Sequence, residues 1–151
     1  MTAEALLAFK VNLTEVVNEI LRIAREIELT GGSEEDLRVN VEKLLDQKVW
    51  SVLGAPKPRY EFPVKGVRGA VVKHYRLDAL YGLTIFEYKK PGALGRPKDR
   101  DEAVKKVKDE YIPALLQDRK IKEIIEGIES KGLTPRVAGV ILDGFNVVFV
   151  D

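Results

Sequence analysis

Apolar residues recur at helical spacing early in the chain and at strand spacing through its middle. Leu13, Val16, Val17, Ile20, Ala24 and Ile27 fall three or four apart, which predicts an amphipathic helix over about residues 3–29. Gly31-Gly32 ends it. Ser33 then caps a second helix, with Asp36 at the reciprocal capping position and Leu37, Val41, Leu44 and Leu45 as its apolar stripe. Glu34 lies on that stripe at 3.6 residues per turn, whereas Glu35 and Asp36 point away. Ala55-Pro56-Lys57-Pro58 breaks the chain. Residues 60–64 read as a strand, at a sheet edge because of Pro63, and 66–80 with 83–89 read as a hairpin. The Gly- and Pro-rich loop 91–99 leads to a helix from about Asp101, its inner side marked by Ala103, Val107, Tyr111, Ala114 and Leu115 and its course kinked or divided by Pro113. A short helix over about 121–130 and a hairpin of 137–142 with 145–150 across Asp143-Gly144 complete the pattern. Trp50 is expected to plug the core.

The central hairpin gathers chemistry. With Tyr81-Gly82 as a two-residue turn, Leu80 opposes Leu83, Asp78 opposes Ile85 and Arg76 opposes Glu87. Alternation then puts Arg76, Asp78, Glu87 and Lys89 on one face, with Asp78 and Glu87 as diagonal neighbours roughly 5–8 Å apart at Cβ. Two carboxylates about 6 Å apart repel by roughly 3 kcal/mol at an effective dielectric near 20. A hard divalent ion would relieve this, and Mg²⁺ binds through one or two carboxylates while keeping several waters. A neighbouring lysine could orient such a water or stabilise developing charge. The plainer alternative is a solvated face with an Arg76–Glu87 pair worth about 0.2–1 kcal/mol. His74 falls on the same face as Arg76 and Asp78, as a fringe residue or a DNA contact.

Composition narrows the field. The 151 residues suffice for one domain with a real core, and the ordinary hydrophobic and charged fractions argue against disorder. There is no cysteine, which excludes disulfides, thiol catalysis and cysteine metal sites, and a single histidine disfavours a zinc site or serine triad. No apolar run reaches the roughly 18 residues of a membrane span and no secretory pattern opens the chain, so a cytoplasmic protein with no membrane partner is expected. The net charge of +1 conceals a strong asymmetry. Residues 1–56 hold six basic and ten acidic side chains, 57–108 hold fourteen and six, and 109–151 hold five and eight. The basic segment encloses the acidic hairpin, as a site drawing in a polyanion would require.

Asp78, eight intervening residues and then Glu87-Tyr88-Lys89 resemble the core motif of the PD-(D/E)xK nuclease superfamily. The wider phrases Arg76-Leu77-Asp78-Ala79-Leu80 and Phe86-Glu87-Tyr88-Lys89-Lys90-Pro91-Gly92 resemble the N-terminal nuclease domains of type I and fused type II restriction–modification enzymes, as does Gly139–Gly144. The resemblance covers about residue 33 to the end; Leu77 stands where a proline is usual. It implies a restriction-endonuclease-like α/β fold, a mixed central sheet of four to five strands flanked by helices, with residues 1–32 as an N-terminal helix and 33–151 as the nuclease core. It implies Mg²⁺-dependent hydrolysis of DNA phosphodiesters, with Mn²⁺ able to substitute. Asp78 and Glu87 become metal ligands and Lys89 the catalytic lysine. Glu34 is the further acid that this class supplies from the helix before the sheet, against the alternative of a dipole-stabilised terminal residue. Arg76, Lys90, Arg96, Lys98 and Arg100 are expected on phosphates. The family's helical glutamine is missing, its role absent or transferred to Lys106. Asp143 reads as a turn residue. Double-stranded DNA is the implied partner, with a methyltransferase or translocase domain or subunit, a homodimer being open. The chain is thus expected to be an isolated nuclease domain or a fragment of a longer protein. Two alternatives stay open: a non-catalytic nucleic-acid-binding domain on the same fold, and a structure-selective junction resolvase.

Overall fold

The computed structural model describes residues 2–55 and 58–151, without the side chains of Lys10 and Val11. Pro56 and Lys57 of the expected chain break lie outside the described residues. The protein is α/β, a five-stranded mixed sheet with helices on both faces. Helix α1 (Ala3–Thr30) starts at Thr2, whose hydroxyl accepts from the Ala5 amide, and ends on left-handed Gly31. Helix α2 (Glu34–Leu45) opens with the anticipated reciprocal cap, Ser33 Oγ accepting from the Asp36 amide at 3.1 Å and Asp36 accepting from the Ser33 amide at 2.8 Å. It widens into a π turn, Asp46–Trp50, and closes with α3 (Ser51–Leu53). No helix among the described residues is long and apolar enough to cross a membrane.

The sheet runs β1 (Arg59–Arg68), β2 (Val71–Tyr81), β3 (Thr84–Tyr88), β4 (Ala138–Leu142), β5 (Val147–Val150), in spatial as in chain order. Only the β3–β4 pair is parallel. Its crossover carries a 3₁₀ turn (Ala93–Gly95), α4 (Pro97–Lys106), a π turn (Val107–Tyr111), α5 (Ile112–Gln117) and α6 (Arg119–Ser130). One face packs Phe86, Tyr88 and Leu142 against Ile23, Ala24 and Ile27 of α1 and Leu37 and Val41 of α2. The other packs Leu80 and Ile85 against Ala114, Leu115 and Ile121, and Ile141 against Ala103 and Val107.

Several boundaries differ from the sequence reading. Residues 66–68 belong to β1, because β1 and β2 form their own hairpin that turns at Gly69, φ 58°. Helix α4 begins at Pro97, whose fixed φ suits the first helical turn, so Lys98 is a helical rather than a loop residue and Arg100, expected just before the helix, lies within it. Pro113 does more than kink its helix. It cannot donate to the Asp109 carbonyl, so the Ile112 amide reaches back to Val107 in a π turn. The freed Asp109 carbonyl accepts instead from Arg68 Nη2 of β1 at 3.0 Å. Trp50 is half-buried, its ring 4.9 Å from that of Tyr81, and Val17 is exposed on α1.

The last turn locks α1 to the sheet. Gly144 has φ 89°, and a Cβ there would run into Ala24 of α1 and approach Leu37 Cδ1 to 3.3 Å. Gly144→Ala should therefore lower stability by more than about 2 kcal/mol, combining overpacking with left-handed strain. Gly69→Ala, with open space around it, should lose only about 1 kcal/mol. Urea unfolding of both variants checks the difference, and equal losses would contradict the close seat of α1.

Candidate active site

Gly82, φ 61°, occupies the first central position of the β2–β3 turn, the place a type II′ turn reserves for glycine. The turn residues are thus Gly82 and Leu83, and the ladder reads Tyr81↔Thr84, Leu80↔Ile85 and Ala79↔Phe86. This corrects the expected register by two residues. Continued one rung further, it sets Asp78 directly across from Glu87, and Arg76 does not oppose Glu87; its strand partner is Pro63 of β1.

The β2–β3 ladder stops at Ala79↔Phe86, and there the two acids take over. Glu87 Oε1 accepts from the Asp78 amide at 3.1 Å, and Asp78 Oδ2 accepts from the Tyr88 amide at 2.8 Å. Each carboxyl thereby satisfies a backbone donor that the parting strands would otherwise leave unpaired. The β1–β2 ladder is interrupted beside the same rung, between Tyr60↔Ala79 and Phe62↔Leu77. Glu61, at the gap, has φ 48°, a left-handed conformation uncommon outside glycine. The ribbon turns over here: Tyr60 reaches Asp46 beyond α2 through a 2.6 Å hydrogen bond, whereas Phe62 and Leu77 join the cluster under α5.

Electrostatics follow from this burial. Glu87 is only 6 % exposed, and burial followed by the Asp78 charge pushes its pKa up to about 8. The carboxyls share a hydrogen bond that favours the proton on Glu87. Burial also raises Asp78, opposed by the Tyr88 amide, Arg38, Glu87 and Lys89 in that order. The Lys89 charge acts on Glu34, Asp78 and Glu87 alike, so half-buried Lys89 lies among all three. Glu34 is raised by the surrounding protein and by Asp78, while Lys89 and the Lys90 amide pull it down. Glu34 thus reaches the site from the start of α2, where it also stands in the first helical turn.

Three contributors escaped the sequence reading. Arg38 and Glu42 follow Glu34 at intervals of four and form one ridge of α2. Arg38 bonds Glu42 at 3.2 Å, pairs with Glu35, and comes within 4.0 Å of Glu61. Glu42 is buried and rises to about 7 through burial, with Asp78 adding to the shift and Arg38 opposing it. Arg38 therefore acts as a counter-charge to Asp78, while Arg76, paired with Glu87 in the plainer alternative, is exposed. Tyr111, half-buried in the π turn, is held up first by burial and then by the charges of Glu87 and Asp78. The four-residue spacing on α2 was visible in the sequence; the π turn that aims Tyr111 was not.

The expected phosphate-binding residues are all exposed but do not form one cluster. Arg76 is on β2 and Lys90 follows β3, while Arg96, Lys98 and Arg100 border the start of α4. Arg96 pairs with Asp99. Lys106 sits with Nζ 5.6 Å from the centre of the Tyr111 ring. Asp143 is wholly buried and accepts from the amides of Leu94 at 2.9 Å, Phe145 at 2.9 Å and Asn146 at 2.6 Å, which makes it the organiser of the β4–β5 turn. Among the described residues, no three His, Cys, Asp or Glu side chains converge as a ready metal cage in this conformation. Comparison with protein-family models, with curated proteins and with solved structures finds no match.

The raised carboxyls predict a pH dependence. Unfolded glutamate ionises near 4.5, whereas folded Glu87 and Glu42 hold protons to about 8 and about 7. Stability from these groups is full below pH 4.5 and is lost as pH rises towards 8. Without divalent metal, Glu87→Gln should be more stable than the wild type at pH 8.5 by up to a few kcal/mol, with the gap closing by pH 5. Urea midpoints at the two pH values test this. A gap that is absent at pH 8.5, or equal at both, contradicts the burial argument.

Proposed function

We propose that this chain is a divalent-metal-dependent DNA endonuclease with a restriction-endonuclease-like fold. The observation that carries the reading is the pair Asp78 and Glu87, set across from each other where β2 and β3 part, with Lys89 among the acids. The five-stranded mixed sheet with helices on both faces is compatible with that fold. The donor set suits a hard cation: a buried and a half-buried carboxyl opposed across a splayed ladder, with Glu87 pushed up to about 8 by burial and by the Asp78 charge, a cost that a bound cation would offset. Asp78 and Glu87 would hold Mg²⁺, or Mn²⁺ in its place, with Glu34 and Glu42 near enough to feel the same charge. A metal so bound supplies Lewis-acid polarisation of the phosphoryl oxygen and a hydroxide near neutral pH.

The chain's own groups do the rest. Lys89 orients the attacking water and balances charge developing on the phosphate. Arg38 holds Glu42 and fixes the potential at Asp78. Tyr111 offers a hydroxyl near the pair. Lys90, next to Lys89, and Lys106, over the Tyr111 ring, are exposed and suit phosphates. On this reading the domain cuts DNA with little sequence preference and takes its specificity from a methyltransferase or translocase partner.

A binding-only domain on the same fold is the rival, favoured by one observation: an oxygen of each central acid is already spent on a backbone amide. Nicking of supercoiled plasmid separates the two readings. The nuclease requires Mg²⁺- or Mn²⁺-dependent nicking that falls at least about 100-fold in Asp78→Asn and Lys89→Ala. Tight DNA binding with no nicking at high protein concentration would favour the rival, and strong preference for four-way junctions over linear duplex would favour a resolvase.

A further inference from the structure

Beyond the rung Phe62↔Leu77, β1 and β2 continue as a two-stranded arm that β3 does not accompany, since the β2–β3 ladder covers only Ala79 to Tyr81. One face of the arm is built into the protein: Phe62, Val64, Tyr75 and Leu77 pack under α5, and Gln117 Oε1 accepts from the Val67 amide at 3.1 Å. The opposite face presents the rungs Pro63↔Arg76, Lys65↔His74 and Val67↔Val72, and all six residues are exposed. Among the described residues no ion pair engages Lys65, His74 or Arg76, although Lys73 on the packed face is paired with Glu110. This face ends at Pro63↔Arg76, and the next positions, Glu61 and Asp78, lie in the gap where the ladder is interrupted. The three rungs thus present Lys65, His74 and Arg76 uncovered, with no acid among their six residues, and lead to that gap.

We propose that this free face is the track for the DNA strand that enters the site, an assignment that rests on the nuclease reading. The occupant follows from charge and pitch. Rungs two residues apart are spaced by about 6.6 Å, so the row from Asp78 to Val72 spans about 20 Å. A strand of duplex DNA rises about 3.4 Å per nucleotide, which places about six nucleotides along it. Arg76, His74 and Lys65 meet successive stretches of backbone, and Val67 with Val72 ends the track with an apolar contact suited to sugars or base edges.

The test uses a fluorescein-labelled 24-base-pair duplex, with binding followed by anisotropy over a salt series without divalent metal. The arm variant Lys65→Gln/His74→Gln/Arg76→Gln is compared with Lys120→Gln/Lys122→Gln on α6, which removes the same two formal charges. The track requires the arm variant to bind at least about tenfold more weakly and its salt slope to fall by about two, while the α6 variant stays within about twofold of the wild type. Equal losses in both variants, no loss in either, or no duplex binding by the wild type overturns it. Circular dichroism melts confirm that these exposed substitutions leave the fold intact. Cleavage of the same duplex in Mg²⁺ is scored separately. A wild type that binds through the arm and never cuts supports the track and removes the nuclease reading. A wild type that cuts, with an arm variant that binds and cuts equally well, removes the track alone.

Discussion

Everything at the centre of this protein depends on two backbone amides that lose their ladder partners. Where β2 leaves β3, the N–H groups of Asp78 and Tyr88 face a gap, and an unpaired amide in a folded interior costs roughly 1–3 kcal/mol. The chain closes the gap with carboxyls: Glu87 accepts from Asp78, and Asp78 accepts from Tyr88. The arrangement is reciprocal across the strands, so neither acid can move without exposing a donor on its own side or its neighbour's. That anchors two acids in a place where burial opposes their charge. It also frees the remainder of β2 to follow β1 out of the sheet.

The surroundings grade the potential. Glu34, Glu42, Asp78 and Glu87 stand against Lys89 and Arg38, so the interior carries more potential negative charge than positive. Outside it, the exposed cations of β2 and α4 reverse the sign. A polyanion would meet attraction at the surface, and a small cation would meet it further in. The chain segregates the two by depth, with Arg38 locked between Glu35 and Glu42 and Lys89 kept half-buried beside the acids.

Much of the fold was legible because local signals agreed with it. Thr30-Gly31-Gly32-Ser33 ends one helix and caps the next whatever the tertiary structure does, and the strands show their alternation. The register was harder. Tyr81-Gly82 and Gly82-Leu83 are both admissible turns around one glycine, and only the packing of Ile85 with Leu80 decides between them. Their spacing drew attention to Asp78 and Glu87, but that they stand directly across from each other was not readable, because it depends on a ladder that stops. The alternative pair of Arg76 with Glu87 rested on strand alternation alone. Alternation fails at Glu61, where a left-handed residue turns the ribbon over and lets Arg38, from another element, take that place.

The π turn before α5 has a consequence for how this architecture can vary. Such a turn amounts to a helix with one extra residue in its middle, so α5 is out of phase with α4 by about 100°. Tyr111 and Ala114 owe their directions to that offset rather than to the helix that precedes them. Loss of a single residue between Val107 and Tyr111 would remove that offset and turn α5 by about 100° relative to α4, with Pro113 still unable to donate. The sheet and its acids would be unchanged. The chain thus contains a vernier: one codon's length separates two different settings of α5 against the same sheet.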